Sequence, residues 1–122
     1  DMDIRVLEGL TIDAIYGMDK GYAEITFRTT DGREFRMTHE QECCESVTLE
    51  DVVGDPNDLI GSPILRAEAR TQAGDTDDYS ESSTWTFYEL ATIQGSVTLR
   101  WYGVSNGYYS ESVDFYEITN RN

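Results

Sequence analysis

The stretch SVTLRWYGVSNGYYSESVDFYEI, residues 96–118, decides how the chain is read. Two alternating runs, Val97-Leu99-Trp101 and Val113-Phe115, flank Ser105-Asn106-Gly107, and Asn-Gly between alternating apolar residues is the strongest short-range hairpin signal. A two-residue loop would set Trp101 opposite Ser112 and Leu99 opposite Asp114, so that apolar side chains face polar ones. A three-residue loop, with Asn106 in a type I turn and Gly107 at the left-handed bulge position, instead pairs Leu99 with Val113 and Val97 with Phe115. The stretch therefore predicts a β-hairpin in the bulged register.

That register has a chemical consequence. It sets Trp101 against Glu111 on the apolar side, while Arg100 and Tyr102 face Ser112 and Ser110 on the other. A carboxylate beside an indole on a core-ward face must find a donor, reach the rim or hold a proton. Glu111 is thus the first functional candidate, and a plain rim residue is its alternative.

Outward from this stretch the same period recurs. Residues 11–16, 23–29 and 34–38 alternate, with turns at Asp19-Lys20-Gly21 and Asp31-Gly32, and predict a three-stranded meander. Residues 46–53 resume a strand pattern through Val47, Leu49 and Val52, although Thr48 and Asp51 have the spacing to cap a short helix instead. Asp55-Pro56 fits an N-cap and first helical position, so residues 56–60 predict a single helical turn ended by Gly61. Residues 64–71 read as an amphipathic or edge strand, 72–83 as a mobile acidic loop and 84–92 as a strand with Trp85 and Phe87 on one face. Residues 1–6 read as a flexible N-terminus. The expectation is one all-β domain, residues 1–122, of seven or eight antiparallel strands in a sandwich or a small, partly open barrel.

At 122 residues the chain can bury a core without staples. A formal net charge of −15 disfavours direct binding to nucleic acid or an anionic membrane and favours a basic protein surface. Eight of the nine basic residues are arginines, the residue type suited to bidentate anion recognition and ring stacking. No run is long enough to span a bilayer as a helix and no signal-peptide pattern is present. Cys43 and Cys44 are neighbours, a spacing that strains an ordinary disulfide, which suggests a reducing compartment such as a host cytoplasm.

His39, Cys43 and Cys44 bring metal-ligand types close together, but adjacent residues on an extended chain point to opposite sides. They are weak metal candidates. Glu40, Glu42 and Glu45 would oppose a reactive thiolate. Asp75-Thr76-Asp77-Asp78 lacks the spaced ligands of a calcium loop. The stronger constellation is aromatic: Trp85, Trp101, Tyr102, Tyr108 and Tyr109, with Arg100, Ser105, Asn106 and Glu111, could form a concave site offering stacking, an anion contact and directional hydrogen bonds. Ordinary sheet core accounts for Trp101 but less well for Tyr108 and Tyr109 beside a tight turn.

HEQECCESV at 39–47, LIGSPI at 59–64, WTFYELATI at 85–93 and RWYGVSNGYYSESVDF at 100–115 together resemble a family of small tailed-bacteriophage proteins. The resemblance covers most of the chain from Leu7 onward. It implies a phage origin and an accessory or counter-defence role, and it supplies no catalytic residues. With the aromatic and arginine set it leads to one expectation: a non-enzymatic, homo-oligomeric binder that needs no cofactor and sequesters a small nucleotide-derived immune signal. The alternative is an acidic inhibitor or DNA mimic that covers a basic host protein. A small hydrolase using Glu111 or His39 is a third reading.

Overall fold

A computed structural model describes residues 1–76 and 81–118. Eight strands run in order: β1 (Ile12–Tyr16), β2 (Glu24–Thr29), β3 (Glu34–Thr38), β4 (Ser46–Val53), β5 (Arg66–Ala73), β6 (Ser82–Thr92), β7 (Gly95–Ser105) and β8 (Asp114–Ile118). Single 3-10 turns cover Ile4–Leu7 and Pro56–Leu59. The strands form two four-stranded antiparallel sheets, ordered β1-β2-β3-β8 and β4-β7-β6-β5. This is the expected all-β class, built as an open sandwich and not as a closed barrel.

Alternation along each strand supplies one shared core. The first sheet contributes Ile25, Phe27, Phe35, Met37 and Phe115, and the second Val47, Leu49, Leu90, Val97, Leu99 and Trp101. The N-terminal meander forms as its pattern predicts. The Asp55 carboxylate accepts the Asn57 N–H at 3.0 Å and caps the second 3-10 turn, with Pro56 at its start.

The predicted hairpin across Asn106-Gly107 does not form. Both edges of β7 are already occupied: β6 pairs along one side, closing a tight turn at Thr92 and Gly95, and β4 pairs along the other. With no free edge beside β7, residues 106–113 carry the chain across the end of the sandwich. There β8 pairs with β3 in the first sheet, setting Met37 opposite Phe115. The ring of Phe115 stacks on Phe35 with centroids 5.6 Å apart. Gly107 does take a left-handed φ of 91°, but it shapes a crossing between sheets and not a bulged hairpin.

Two further expectations shift. The N-terminal residues, expected to be flexible, are packed: Ile4 is buried and Met2 N–H donates to the Phe115 carbonyl at 2.6 Å. The loop expected at 72–83 is shortened from both sides by β5 and β6, and its residues 77–80 lie outside the described residues.

Candidate functional site

Alternation splits β6 and β7 into two chemistries. Thr86, Tyr88, Leu99 and Trp101 turn inward and are buried, while Trp85, Phe87, Arg100 and Tyr102 share the outer face and are half-buried. Register then brings the outer residues together, because Trp85 pairs with Tyr102, Phe87 with Arg100 and Arg70 with Phe87. The rings of Trp85 and Tyr102 lie 4.6 Å apart, and Trp85 and Phe87 stack at 6.1 Å. The Arg70 guanidinium sits 4.4 Å from the Phe87 centroid, and that of Arg100 sits 5.1 Å from Trp85. Asp51 on β4 flanks Arg100 at 3.6 Å. The result is a continuous aromatic strip carrying two cations on an otherwise acidic protein.

Beyond Tyr102 on the same side of β7 comes Val104, which leads into a groove of about 370 Å³. Its walls include Cys44, Ser46, Glu81, Asn106 and Tyr109. The Asn106 side chain accepts the Tyr108 N–H at 3.0 Å, an Asx turn that fixes the start of the crossing. The Tyr108 and Tyr109 rings meet edge to face at 5.0 Å, and Tyr108 is 84% exposed.

Cys43 and Cys44 are joined to each other, contrary to the expectation from their adjacency. The turn that permits this is organised by the Glu45 carboxylate, which accepts the N–H groups of Glu42 and Cys43, each at 2.8 Å. Gln41 donates to the Glu45 carbonyl at 2.6 Å. The disulfide removes the ground on which a reducing compartment was expected, and it leaves no thiolate to bind a metal. His39 is also engaged: Nε2 lies 2.6 Å from the Glu45 carboxylate and Nδ1 lies 2.7 Å from the Ser112 carbonyl. Burial works to raise the Glu45 pKa, but the hydrogen bonds from His39 and the two N–H groups prevail and lower it to about 2. Among the described residues no cluster of three metal-ligating side chains exists.

The predicted constellation is therefore divided. Trp85, Arg100 and Tyr102 meet on the outer face, whereas Asn106, Tyr108 and Tyr109 belong to the crossing beside the groove. Trp101 is fully buried, with its indole N–H unpartnered. Glu111 is buried as well, on the side of the sheet opposite to the strip. One of its oxygens accepts Thr84 Oγ1 at 2.7 Å and Ser82 Oγ at 3.3 Å, and the other accepts Ser105 Oγ. It thus found its donors inside, and it is neither a rim residue nor part of an open pocket. Phe87 and Arg70 complete the strip and were not singled out from sequence. Their alternation was visible, but their meeting depends on the register between β5 and β6.

No helix among the described residues is long and apolar enough to cross a membrane. Neither a curated protein nor a solved structure matches this sequence. The profile of a domain of unknown function, DUF7448, matches residues 7–115. That match takes in β1 through the start of β8, hence both sheets, the strip and the crossing, and the chain belongs to the DUF7448 family.

Proposed function

We propose that this protein is a non-enzymatic binding module that docks a partner protein on the outer face of its second sheet. The observation that carries this reading is the strip of Trp85, Phe87 and Tyr102 with Arg70 and Arg100 between and over the rings. Aromatic residues and arginine dominate the centres of protein interfaces. The −15 net charge adds a long-range preference for a partner with a basic rim. In a phage-encoded accessory protein such a face would cover a host defence protein. A catalytic reading draws little support, since His39 and Glu111 spend their polar atoms on internal partners.

The test is capture of a stoichiometric host partner on immobilised protein. Trp85→Ala and Arg100→Ala should each weaken capture at least about tenfold, the scale of a central interface residue. Tyr16→Ala, an exposed ring on the other sheet, should not. Rising salt should weaken capture further. Equal capture by all variants would refute the assignment.

The groove beside Tyr109 favours a second reading, binding of a nucleotide-derived signal by the same non-enzymatic protein. Its volume of about 370 Å³ suits a small molecule, and Tyr109 offers a ring in its wall. Calorimetry against cyclic and ADP-ribose-type nucleotides tests this, with Tyr109→Ala abolishing any heat.

A further inference from the structure

A sheet edge left open invites another strand, and proteins normally block it. Here three of the four outer edges are each met at one strand residue by another segment. The edge of β1 bridges to Ile60 and Pro63. Leu49 on β4 exchanges backbone bonds with Gly21 and Tyr22. Phe115 on β8 accepts Met2 N–H and donates to the Asp1 carboxylate.

The edge of β5 is also met at one residue, but it runs on beyond that point. Gly74 N–H donates to the Ser83 carbonyl at 3.0 Å, so the even-numbered residues of β5 address β6 and the odd-numbered ones point their N–H and C=O groups outward. Ala67 follows this rule, donating outward to the Glu8 carboxylate at 3.1 Å. Beyond it, the outward groups of Ala69, Thr71 and Ala73 have no partner among the described residues. These residues are exposed, small and uncharged, and the segment contains neither proline nor lysine.

We propose that this edge joins a second copy of the chain, antiparallel about a two-fold axis through Thr71. Ala69 then pairs with Ala73 of the second copy and Thr71 with its own counterpart, each pair exchanging both backbone bonds. Glu8 blocks any register that reaches back to Ala67, which leaves Thr71 at the centre of the free segment. In this register Arg70 stands opposite Gln72 and Glu68 opposite Gly74, so no charge directly faces its like. The Arg70 guanidinium leans over Phe87 toward β6, away from the axis. Below the edge lies a cleft of about 980 Å³ whose lining includes Ala69, Thr71, Thr86, Tyr88 and Val113. Pairing sets two such clefts side by side and runs the aromatic strips of both copies into one eight-stranded face. Two chains of charge −15 repel, so this dimer strengthens as salt rises, opposite to the docking of a basic partner.

Sedimentation equilibrium of the intact protein at low and high salt tests the pairing. The wild type should be dimeric at micromolar concentration in high salt. Thr71→Pro, which removes an outward N–H without touching the β6 ladder, should be monomeric with an unchanged circular dichroism spectrum. Thr71→Cys should form a covalent dimer on mild oxidation, because such paired residues lie about 5.5 Å apart, within disulfide reach. Ser96→Cys, exposed but away from this edge, should not. A wild type that stays monomeric at all salts overturns the proposal. So does a dimer that Thr71→Pro leaves intact, or a Thr71→Cys protein that fails to crosslink.

Discussion

His39 and Glu45 meet through Nε2 and Oε2 at 2.6 Å, with both side chains almost wholly shielded from solvent. The other imidazole nitrogen faces the Ser112 carbonyl, an acceptor only. An imidazole placed between a carbonyl and a carboxylate satisfies both when it carries two protons, so the pair is an imidazolium with a carboxylate. It ties the turn before β4 to the crossing before β8.

This pair predicts a stability window. Burial works against the His39 charge, yet the Glu45 hydrogen bond and the Ser112 carbonyl outweigh it and raise the pKa above 6.5. A raised histidine contributes fully below pH 6.5 and loses its contribution as pH climbs through the folded value. Glu45, lowered from 4.5 to about 2, contributes fully above pH 4.5 and loses that contribution as pH falls toward 2. Urea unfolding of wild type and His39→Gln should therefore differ most between pH 4.5 and 6.5, with the gap narrowing on either side. A gap that is flat from pH 3 to 9 would contradict the assigned protonation.

The two tryptophans should separate stability from binding. Trp101→Ala leaves a large cavity in the core and should cost about 3–5 kcal/mol by chemical unfolding. Trp85→Ala removes a half-buried ring from the outer face and should cost about 1 kcal/mol or less while weakening partner capture at least about tenfold. Comparable losses of stability would place Trp85 in the core.

Two glycines, Gly103 in β7 and Gly107 in the crossing, should respond differently to alanine. At Gly103 a Cβ would stand 2.8 Å from the Glu111 carbonyl oxygen and 3.1 Å from a Val47 methyl, between two parts of the fold that cannot both retreat. Gly103→Ala should cost about 2–3 kcal/mol, as overpacking does. At Gly107 the space is open and only the positive φ resists, so Gly107→Ala should cost about 1–2 kcal/mol. Thermal denaturation of the two variants ranks them.

The Cys43–Cys44 bridge closes the smallest possible loop and removes little freedom from the unfolded chain. A Cys43→Ser, Cys44→Ser double variant should unfold within about 1 kcal/mol of wild type. Mass measurement before and after reduction and alkylation should show two thiols released from native protein, since both residues are exposed.

Most strands were legible because their core faces follow a strict two-residue period, as in Ile25-Phe27 and Phe35-Met37. The partner of β8 was not. Val113 and Phe115 alternate equally well for any neighbour, and the Asn-Gly signal reports a turn without saying which strand comes next. One local cue pointed the other way: Gly103 interrupts an apolar strand face, a mark of close backbone approach, and the Glu111 backbone is what approaches it. For the site, residue types were readable and grouping was not. Trp101 and Tyr102 are adjacent in sequence and therefore on opposite faces, so no single open pocket could hold both.

Because β8 pairs Ile118 with Glu34, the first sheet waits for its fourth strand until the whole second sheet has been synthesised. On the ribosome the meander of β1 to β3 emerges early with one flank uncovered. Pairing across such a separation is slow, and the uncovered flank of β3 is the place where a nascent chain of this family is most exposed to wrong partners.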